Sequence, residues 1–236
     1  MRSPLETGPW IVLDEVGSTQ AYAKQALLSD APAGVVFAHH QTEGHGRFGR
    51  AWHSERGASL TFSLVFGAYA DHPKPWLIGM AVAVAAAGAL HTQIQWPNDL
   101  TIERRKVGGI LTEMARDRNR RNVPIVGVGV NLSQTEFPEE IRETATSLAL
   151  HRRGPFDPEA LARKILARLE DLPEPDDWRD LEPIWEVFDD TPGKPYRLPD
   201  GTFGTAIGVG PDGALICSVD GLTRTVLAAE ALFGPG

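Results

Sequence analysis

The spacing of hydrophobic and polar residues divides the chain into short strands and amphipathic helices. Runs rich in β-branched and aromatic residues predict strands at residues 10–14, 34–40, 59–66, 93–96, 100–103, 107–114 and 124–131. Apolar residues at helical spacing predict a helix capped by Ser18, an alanine-rich buried helix at 76–90, and helices at 158–172 and 178–188. Because strands and helices mix without strict alternation, an α+β fold is favoured over a doubly wound sheet.

The pattern changes near the C-terminal end. Residues 189–195 contain two prolines and a glycine, which predict a domain boundary. Beyond it, Pro-Asp-Gly turns at residues 199–201 and 211–213 alternate with strand-like segments, as is typical of a small antiparallel meander or barrel. We therefore expect a larger domain over residues 1–189 and a small β-domain over residues 190–236.

Composition and charge narrow the classes of partner. The 236-residue chain has a formal net charge of −8, which argues against general binding to nucleic acid or to an anionic membrane. The apolar run at 76–90 is shorter than the ~20 residues that span a bilayer, and residues 1–9 lack the apolar segment of a secretion signal. The single cysteine, Cys217, fits a reducing compartment. We expect a cytoplasmic protein with neither nucleic acid nor a membrane as partner.

The most distinctive segment is the glycine loop, residues 44–52, with the sequence Gly-His-Gly-Arg-Phe-Gly-Arg-Ala-Trp. Glycine lets backbone amides approach a ligand, and turned-in amides form a concavity that binds anions. Arg47 and Arg50 add planar donor groups suited to phosphate and carboxylate oxygens. Taken alone, the loop is equally typical of a flexible surface turn with two solvated arginines.

Three further clusters follow the loop. Residues 95–99, Gln-Trp-Pro-Asn-Asp, end a strand with two polar side chains. Lys106 precedes two glycines that permit the close approach of a ligand or another strand, and we place the hairpin tip at residues 104–106. Residues 127–132, Gly-Val-Gly-Val-Asn-Leu, form an apolar strand that ends in Asn131. Taken one at a time, these clusters are typical of a turn, a hairpin tip and a strand cap. Only their order along the chain favours a functional interpretation.

In this order the motifs resemble the signatures of biotin protein ligases, part of the biotin/lipoyl ligase family: Gly-Arg-Gly-Arg-Arg-Gly-Arg-x-Trp, Lys-Trp-Pro-Asn-Asp, Lys-x-x-Gly-Ile-Leu and Gly-Ile-Gly-Ile-Asn. The resemblance implies a class II synthetase-like mixed β-sheet flanked by helices, with an SH3-like β-barrel at the C-terminal end. It also implies that biotin and ATP form biotinyl-AMP and pyrophosphate, and that the biotinyl group then passes to a lysine of a biotin carboxyl carrier domain. A homodimer is compatible with it.

The resemblance also assigns roles to residues. Arg47 would order the loop over the adenylate, Lys106 would reach the carboxylate and the α-phosphate, and Asp99 would help to hold Mg²⁺. Ser18, Thr19 and Gln41 would hydrogen-bond to the polar ring of biotin. Trp52 would pack beside the ligand, although an ordinary core tryptophan fits the sequence as well. The ligand-binding residues are completed by Gly44, His45, Gly46, Arg50, Asn98, Gly108 and Asn131.

The chain departs from the family signatures at four positions. His45 and Phe48 stand where the family has arginine, Gln95 replaces a lysine, and Gln20 replaces an asparagine. Three cationic positions are therefore weakened or lost around an anionic substrate pair. Two alternatives stay open: a ligase for lipoate or another acyl acid, and a ligase-like protein that binds its ligand without turnover.

Three other histidines, His39, His40 and His53, flank the glycine loop. No set of histidine, cysteine and carboxylate residues has the spacing of zinc ligands, and Cys217 lies far away in sequence. We therefore interpret these histidines as polar residues of the loop flanks.

Overall fold

The computed structural model describes residues 1–52 and 55–227, so that His53 lies outside the described residues. The described part contains the helices α1 (Thr19–Ala26), α2 (Pro75–Leu90), α3 (Pro158–Glu170) and α4 (Trp178–Phe188). The strands are β1 (Trp10–Val16), β2 (Val35–Gln41), β3 (Ser59–Val65), β4 (Gln93–Gln95), β5 (Asp99–Ile102), β6 (Arg105–Arg116), β7 (Asn122–Asn131), β8 (Pro195–Arg197), β9 (Phe203–Val209), β10 (Leu215–Val219) and β11 (Leu222–Val226).

Seven strands form one large mixed sheet. Their order is β1-β2-β3-β7-β6-β5-β4, with β1 and β2 parallel and every other neighbouring pair antiparallel. Helices pack against this sheet, so the prediction of an α+β fold with a mixed sheet flanked by helices is confirmed.

Helix α2 forms the centre of the hydrophobic core, and almost all of its residues are buried. Its small residues allow close packing: a side-chain carbon added at Gly79 would lie 2.1 Å from Thr112 Oγ1 on β6. The prediction of a buried alanine-rich helix is confirmed. No helix in the described ranges is long and apolar enough to cross a membrane.

A buried amide side chain of helix α1, that of Gln20, contacts the sheet. Ser18 caps the helix by accepting a hydrogen bond from an amide of the first turn, and Gln20 extends below it into the sheet. The Gln20 Nε2 atom donates to the carbonyls of Leu111 (3.3 Å) and Ile125 (3.1 Å), and its Oε1 accepts from Ser63 Oγ at 2.9 Å. Gln20 thus links α1 to three adjacent strands.

Replacing Gln20 with asparagine, the residue of the family signature, should destabilise this chain. The shorter side chain cannot reach the carbonyls of β6 and β7, and an unsatisfied buried polar group costs about 1–3 kcal/mol. Urea unfolding followed by circular dichroism should show that loss, whereas Gln25→Asn, at an exposed position of the same helix, should change stability by less than about 0.5 kcal/mol. Equal effects of the two variants would show that the buried contacts of Gln20 contribute nothing.

The remaining strands form a small antiparallel sheet in the order β11-β10-β9-β8. Its buried side chains belong to the same hydrophobic cluster as those of α2 and the large sheet. Trp96, just after β4, donates from Nε1 to the carbonyl of Gly213 at 2.9 Å. The two sheets therefore pack directly together, and a domain boundary between residues 189 and 190 stays a prediction.

The hairpin between β5 and β6 differs from its prediction. We placed its tip at residues 104–106, but β6 begins at Arg105 and the turn is formed by Glu103 and Arg104. Both turn residues have positive φ, 49° and 64°, as a two-residue type I′ turn requires. Lys106 therefore belongs to the strand and has a fixed side-chain direction.

Candidate active site

One face of the large sheet lacks side chains at its centre. Asp99, Gly109, Gly129 and Thr61 are directly paired across β5, β6, β7 and β3, so their side-chain positions share one face. We call it the glycine face. Helix α2 packs on the opposite face, which leaves the glycines as the floor of a shallow site.

A β-bulge brings Lys106 onto the glycine face. The pairing of β5 with β6 skips Val107, so Lys106 and Gly109 share a face although they are three residues apart. A side-chain carbon added at Gly109 would lie 3.5 Å from both Cε and Nζ of Lys106. The spacing Lys-x-x-Gly of the motif therefore has a structural cause.

Two cations approach neighbouring residues at the edge of this face. Lys106 Nζ lies 2.7 Å from Asp99 Oδ1. Asn98 donates from Nδ2 to the carbonyl of Ile110 at 2.8 Å, which leaves its Oδ1 to accept from Arg47 Nη1 at 3.4 Å. The predicted residues Arg47, Lys106, Asn98 and Asp99 thus form one cluster. We call it the cationic cluster.

Arg47 is half-buried, which is unusual for a guanidinium group. Burial lowers the pKa of Arg47, the charge of Asp99 raises it, and Arg50 lowers it again. The guanidinium nevertheless stays protonated. A poorly hydrated cation at the edge of the glycine face is well placed to attract an anionic ligand.

The glycine loop is closed by its own backbone. The amide of Gly46 donates to the carbonyl of Arg50, and that of Trp52 to the carbonyl of Gly44, both at 2.8 Å. Gly44 is held against Gln41, because an added side-chain carbon would lie 2.4 Å from Gln41 Nε2. At the tip, Phe48 is 58% exposed with φ +57°, a conformation that is strained for a bulky residue.

His45 and Arg50 take different positions from Arg47. His45 Nε2 lies 3.9 Å from Glu113 Oε2 on β6, and Glu113 is also paired with Lys24 at 2.8 Å. Arg50 is exposed and acts on the site as a nearby positive charge. The structure therefore brings Arg47, and neither His45 nor Arg50, into the cationic cluster.

A second, buried polar cluster lies where α1 meets β2. Gln41 Oε1 accepts from the amide of Thr19 at 2.8 Å and from its hydroxyl at 3.0 Å. The Thr19 hydroxyl is also 2.9 Å from Ser63 Oγ, and Ser18 precedes it as the helix cap. Ser18, Thr19 and Gln41 thus lie together, as predicted, in surroundings where a polar ligand ring could exchange hydrogen bonds.

Trp52 covers the glycine floor beside Lys106. A side-chain carbon at Gly129 would lie only 2.8 Å from Cε2 of its indole ring. Since Gly129 is paired with Gly109, Trp52 and Lys106 lie over adjacent positions. The Trp52 Nε1 atom is buried without a hydrogen-bond partner, as are those of the core residues Trp178 and Trp185, so a ligand contact for Trp52 stays a prediction.

Of the other two predicted residues, Gly108 lies off the glycine face, whereas Asn131, which is paired with Ser59, lies on it. Gly108 points to the opposite face, where an added carbon would lie 2.6 Å from the carbonyl oxygen of Gly129. Asn131 donates from Nδ2 to the carbonyl of Thr146 at 3.0 Å, and residues 144–146 hydrogen-bond to the backbone of Lys106. Asn131 therefore supports the backbone of Lys106 through this segment.

The sequence analysis missed the polar residues of β3. Ser59, Thr61 and Ser63 are all buried on the glycine face, and Ser63 joins Thr19 to Gln20. The signal was present as hydroxyl residues at every second position of an otherwise apolar strand.

The described residues of this region form no preformed metal site. Within residues 1–52 and 55–227, no group of three or more histidine, cysteine or acidic side chains could hold a metal ion. His40 instead contacts Glu15 at 2.9 Å. Asp99 is the carboxylate of the cationic cluster, and it is paired with Lys106.

Comparisons with known proteins agree with this geometry. Residues 12–131 match the model of the biotin/lipoate A/B protein ligase family. The bifunctional ligase/repressor BirA of Bacillus spizizenii is 32% identical over 244 residues, covering 95% of this chain and 74% of the relative. The biotin–[acetyl-CoA-carboxylase] ligase of Mycobacterium tuberculosis is 30% identical over 241 residues, covering 94% and 87%.

A solved structure supports the same assignment. The biotin protein ligase of Aquifex aeolicus in complex with biotin and ATP superposes with a TM-score of 0.72 at 26% identity, over 94% of this chain and 97% of that one. The family model matches half of the chain, over residues that include the strands and the loop of the site, and the chain is 32% identical to a ligase over most of its length. The chain belongs to the biotin/lipoate A/B protein ligase family.

Proposed function

We propose that this chain is a biotin protein ligase, which joins biotin to ATP and transfers the biotinyl group to a lysine of a carrier protein. The observation that carries the proposal is the convergence of Arg47 and Lys106 on the adjacent residues Asn98 and Asp99. The ligases named among the relatives act on biotin, and one solved relative holds biotin and ATP.

The first step brings two anions together. A carboxylate oxygen of biotin forms a bond to the α-phosphorus of ATP while the bond to the β-phosphate oxygen breaks and pyrophosphate leaves. Arg47 and Lys106 offset the repulsion between the reactants and stabilise the charge that develops on the phosphoryl oxygens. Asp99 holds the Lys106 ammonium in place until the anions compete for it.

In the second step the uncharged amine of the carrier's lysine attacks the acyl carbon of biotinyl-AMP. The bond between that carbon and the phosphate oxygen breaks, AMP leaves, and the new amide releases a proton. Lys106 remains next to the leaving phosphate and stabilises its charge. No covalent enzyme intermediate is involved.

Mg²⁺ would enter this site with the nucleotide. Mg²⁺ is commonly bound by one or two carboxylates together with substrate phosphates, and the single carboxylate Asp99 of the cationic cluster fits that mode. When bound, the ion neutralises phosphate charge. Asp99 would supply its protein ligand.

The polar cluster of α1 and β2 favours biotin over lipoate. The ureido ring of biotin has donors and acceptors that must be matched when it is buried, and Thr19, Gln41 and Ser63 provide such groups. A lipoyl or fatty chain would gain nothing from them. Lipoate and other acyl acids remain the alternative in the substrate test.

Replacing Gln41 with methionine should weaken biotin binding selectively. Methionine keeps the length of the side chain but cannot accept the hydrogen bonds from Thr19. It also lacks the amide nitrogen that glutamine places beside Gly44. We expect KM for biotin to rise about 10- to 100-fold, as for the loss of one or two buried hydrogen bonds, with KM for ATP unchanged. Thr42→Val, at the exposed neighbouring position, is the matched control, and equal increases in both KM values would contradict the assignment.

Pyrophosphate exchange tests the proposed function directly. With Mg²⁺, labelled pyrophosphate and ATP, label should enter ATP only when biotin is added, and lipoate or octanoate should support little exchange. Exchange with lipoate alone would identify the other branch of the family. Biotin binding by calorimetry without exchange, and without biotinyl-AMP in mass spectra, would identify a binding protein that lacks turnover.

Other parts of the proposal concern the whole molecule. We infer that residues 190–236 form the SH3-like domain of these ligases, since β8–β11 make a four-stranded antiparallel meander of that size. Cys217 is a free and buried cysteine, which is consistent with a protein of the reducing cytoplasm. The acceptor there would be a carboxyl carrier domain. A homodimer is the further arrangement to be tested, by sedimentation with and without biotin and ATP.

A further inference from the structure

A buried lysine of the C-terminal segment reaches the large sheet. Lys194 is only 7% exposed, and its Nζ donates to Gln95 Oε1 at 2.7 Å and to Asp190 Oδ2 at 2.6 Å. Lysine is rarely buried so completely unless it is paired. Its ammonium group is therefore fixed on β4.

The pairing of β4 with β5 places this ammonium beside the cationic cluster. Gln95 is directly opposite Asp99, so the two side chains share a face. Lys194 contacts Gln95, and Lys106 contacts Asp99. The two lysines thus attach to neighbouring positions of one row across the sheet.

The same segment also holds Trp96, the residue that follows β4. The Gln95 side chain hydrogen-bonds to the Tyr196 hydroxyl, which donates to the carbonyl of Trp96 at 2.9 Å. Burial raises the pKa of Tyr196, so the phenol stays protonated. Lys194 and Tyr196 together orient Gln95 and Trp96, which lead into the turn that carries Asn98 and Asp99.

We propose that Lys194, paired with Asp190, is a positioning residue of the nucleotide side of this site, and that its ammonium holds Gln95 at the place on β4 where the family signature has a lysine. The lysine of the Lys-Trp-Pro-Asn-Asp signature would present its ammonium from β4. In this chain the ammonium group of Lys194 reaches Gln95 on β4 from the C-terminal segment. The inference rests on the proposed function, and it makes the small sheet part of the ligase site.

The test measures nucleotide binding separately from turnover. Lys194→Gln leaves the partly buried Asp190 without its cation, so the double variant Asp190→Asn/Lys194→Gln accompanies it and keeps amide groups in both places. In both, calorimetry should show affinity for a non-hydrolysable ATP analogue with Mg²⁺ reduced roughly 10- to 100-fold, as for the loss of a charge-assisted contact. The Kd for biotin should change less than about twofold.

A charge exchange provides the sharpest variant. Gln95→Lys combined with Lys194→Gln restores one ammonium at this place, so nucleotide affinity should return to within about threefold of the wild-type value. Arg224→Gln is the matched control, because Arg224 forms an exposed ion pair with Asp200 in the same small sheet. It should leave nucleotide affinity unchanged.

Several results would overturn the inference. The first is unchanged nucleotide affinity in folded Lys194 variants, and the second is a loss of biotin affinity in them that equals the loss of nucleotide affinity. The third is a folded exchange variant in which nucleotide affinity does not recover. A wild-type chain that binds the analogue but shows no biotin-dependent exchange would overturn the proposed function alone. A wild-type chain that does not bind the analogue would overturn both.

Discussion

Replacing Lys106 with glutamine should lower the rate of biotin-dependent pyrophosphate exchange by about 10²- to 10³-fold, the usual cost of removing one donor that stabilises transition-state charge. The reason is geometric: the β-bulge at Val107 aims the ammonium over Gly109 and against Asp99. Glutamine can hydrogen-bond but carries no charge. The loss should fall mainly on kcat, because the charge it offsets develops during the reaction.

The fold should survive this change, since the Lys106 side chain is 43% exposed and its partner Asp99 is not fully buried. Thermal unfolding should therefore stay within about 2 °C of the wild-type midpoint. Lys24→Gln, which breaks the ion pair with Glu113 away from the cationic cluster, is the matched control and should keep most of the activity. Full exchange activity in Lys106→Gln would remove Lys106 from the mechanism.

The adjacent glycines Gly108 and Gly109 should respond to substitution in opposite ways. In Gly108→Ala the new carbon would lie 2.6 Å from a backbone oxygen of β7 and 3.1 Å from Val130. Neither can move without disturbing the sheet, so we expect a loss of about 2–3 kcal/mol in the free energy of unfolding. Urea unfolding of purified variants measures it.

In Gly109→Val the atoms nearest to the new β-carbon would be the flexible end of Lys106, 3.5 Å away, and the backbone oxygen of Asn98, 3.7 Å away. Stability should change by less than about 1 kcal/mol, because valine suits a strand. Exchange activity should nevertheless fall at least roughly tenfold, since the floor of the site is filled and Lys106 is displaced. Loss of stability in Gly109→Val with normal activity would contradict the orientation of the two faces.

Much of the fold was predictable because local patterns agree with the tertiary structure. The apolar run of α2, the strand-breaking proline after Trp96 and the cap at Ser18 each determine an element without help from distant residues. The α+β class and the central helix followed from these patterns, whereas the mixed sheet was implied by the family resemblance. The residues of the cationic cluster were predicted from motif resemblance, and the structure brings Arg47, Asn98, Asp99 and Lys106 together.

Long-range details were out of reach. The pairing between Leu100 and Gly108 determines that Val107 bulges, and a bulge depends on the register of two strands. The tip of the same hairpin was misplaced because Glu103 and Arg104, neither a glycine, take positive φ there. The contact between Lys194 and Gln95 spans 99 residues and has no local signal.

The central claim is that two cations on one glycine-floored face bring two anionic substrates together. A crystal structure of the chain with biotinyl-AMP tests it most directly. We predict that the Arg47 guanidinium and the Lys106 ammonium both lie within hydrogen-bonding distance of the phosphate or of its link to the acyl group, above Gly109 and Gly129. A bound adenylate that contacts neither group, or lies elsewhere on the molecule, would contradict the account.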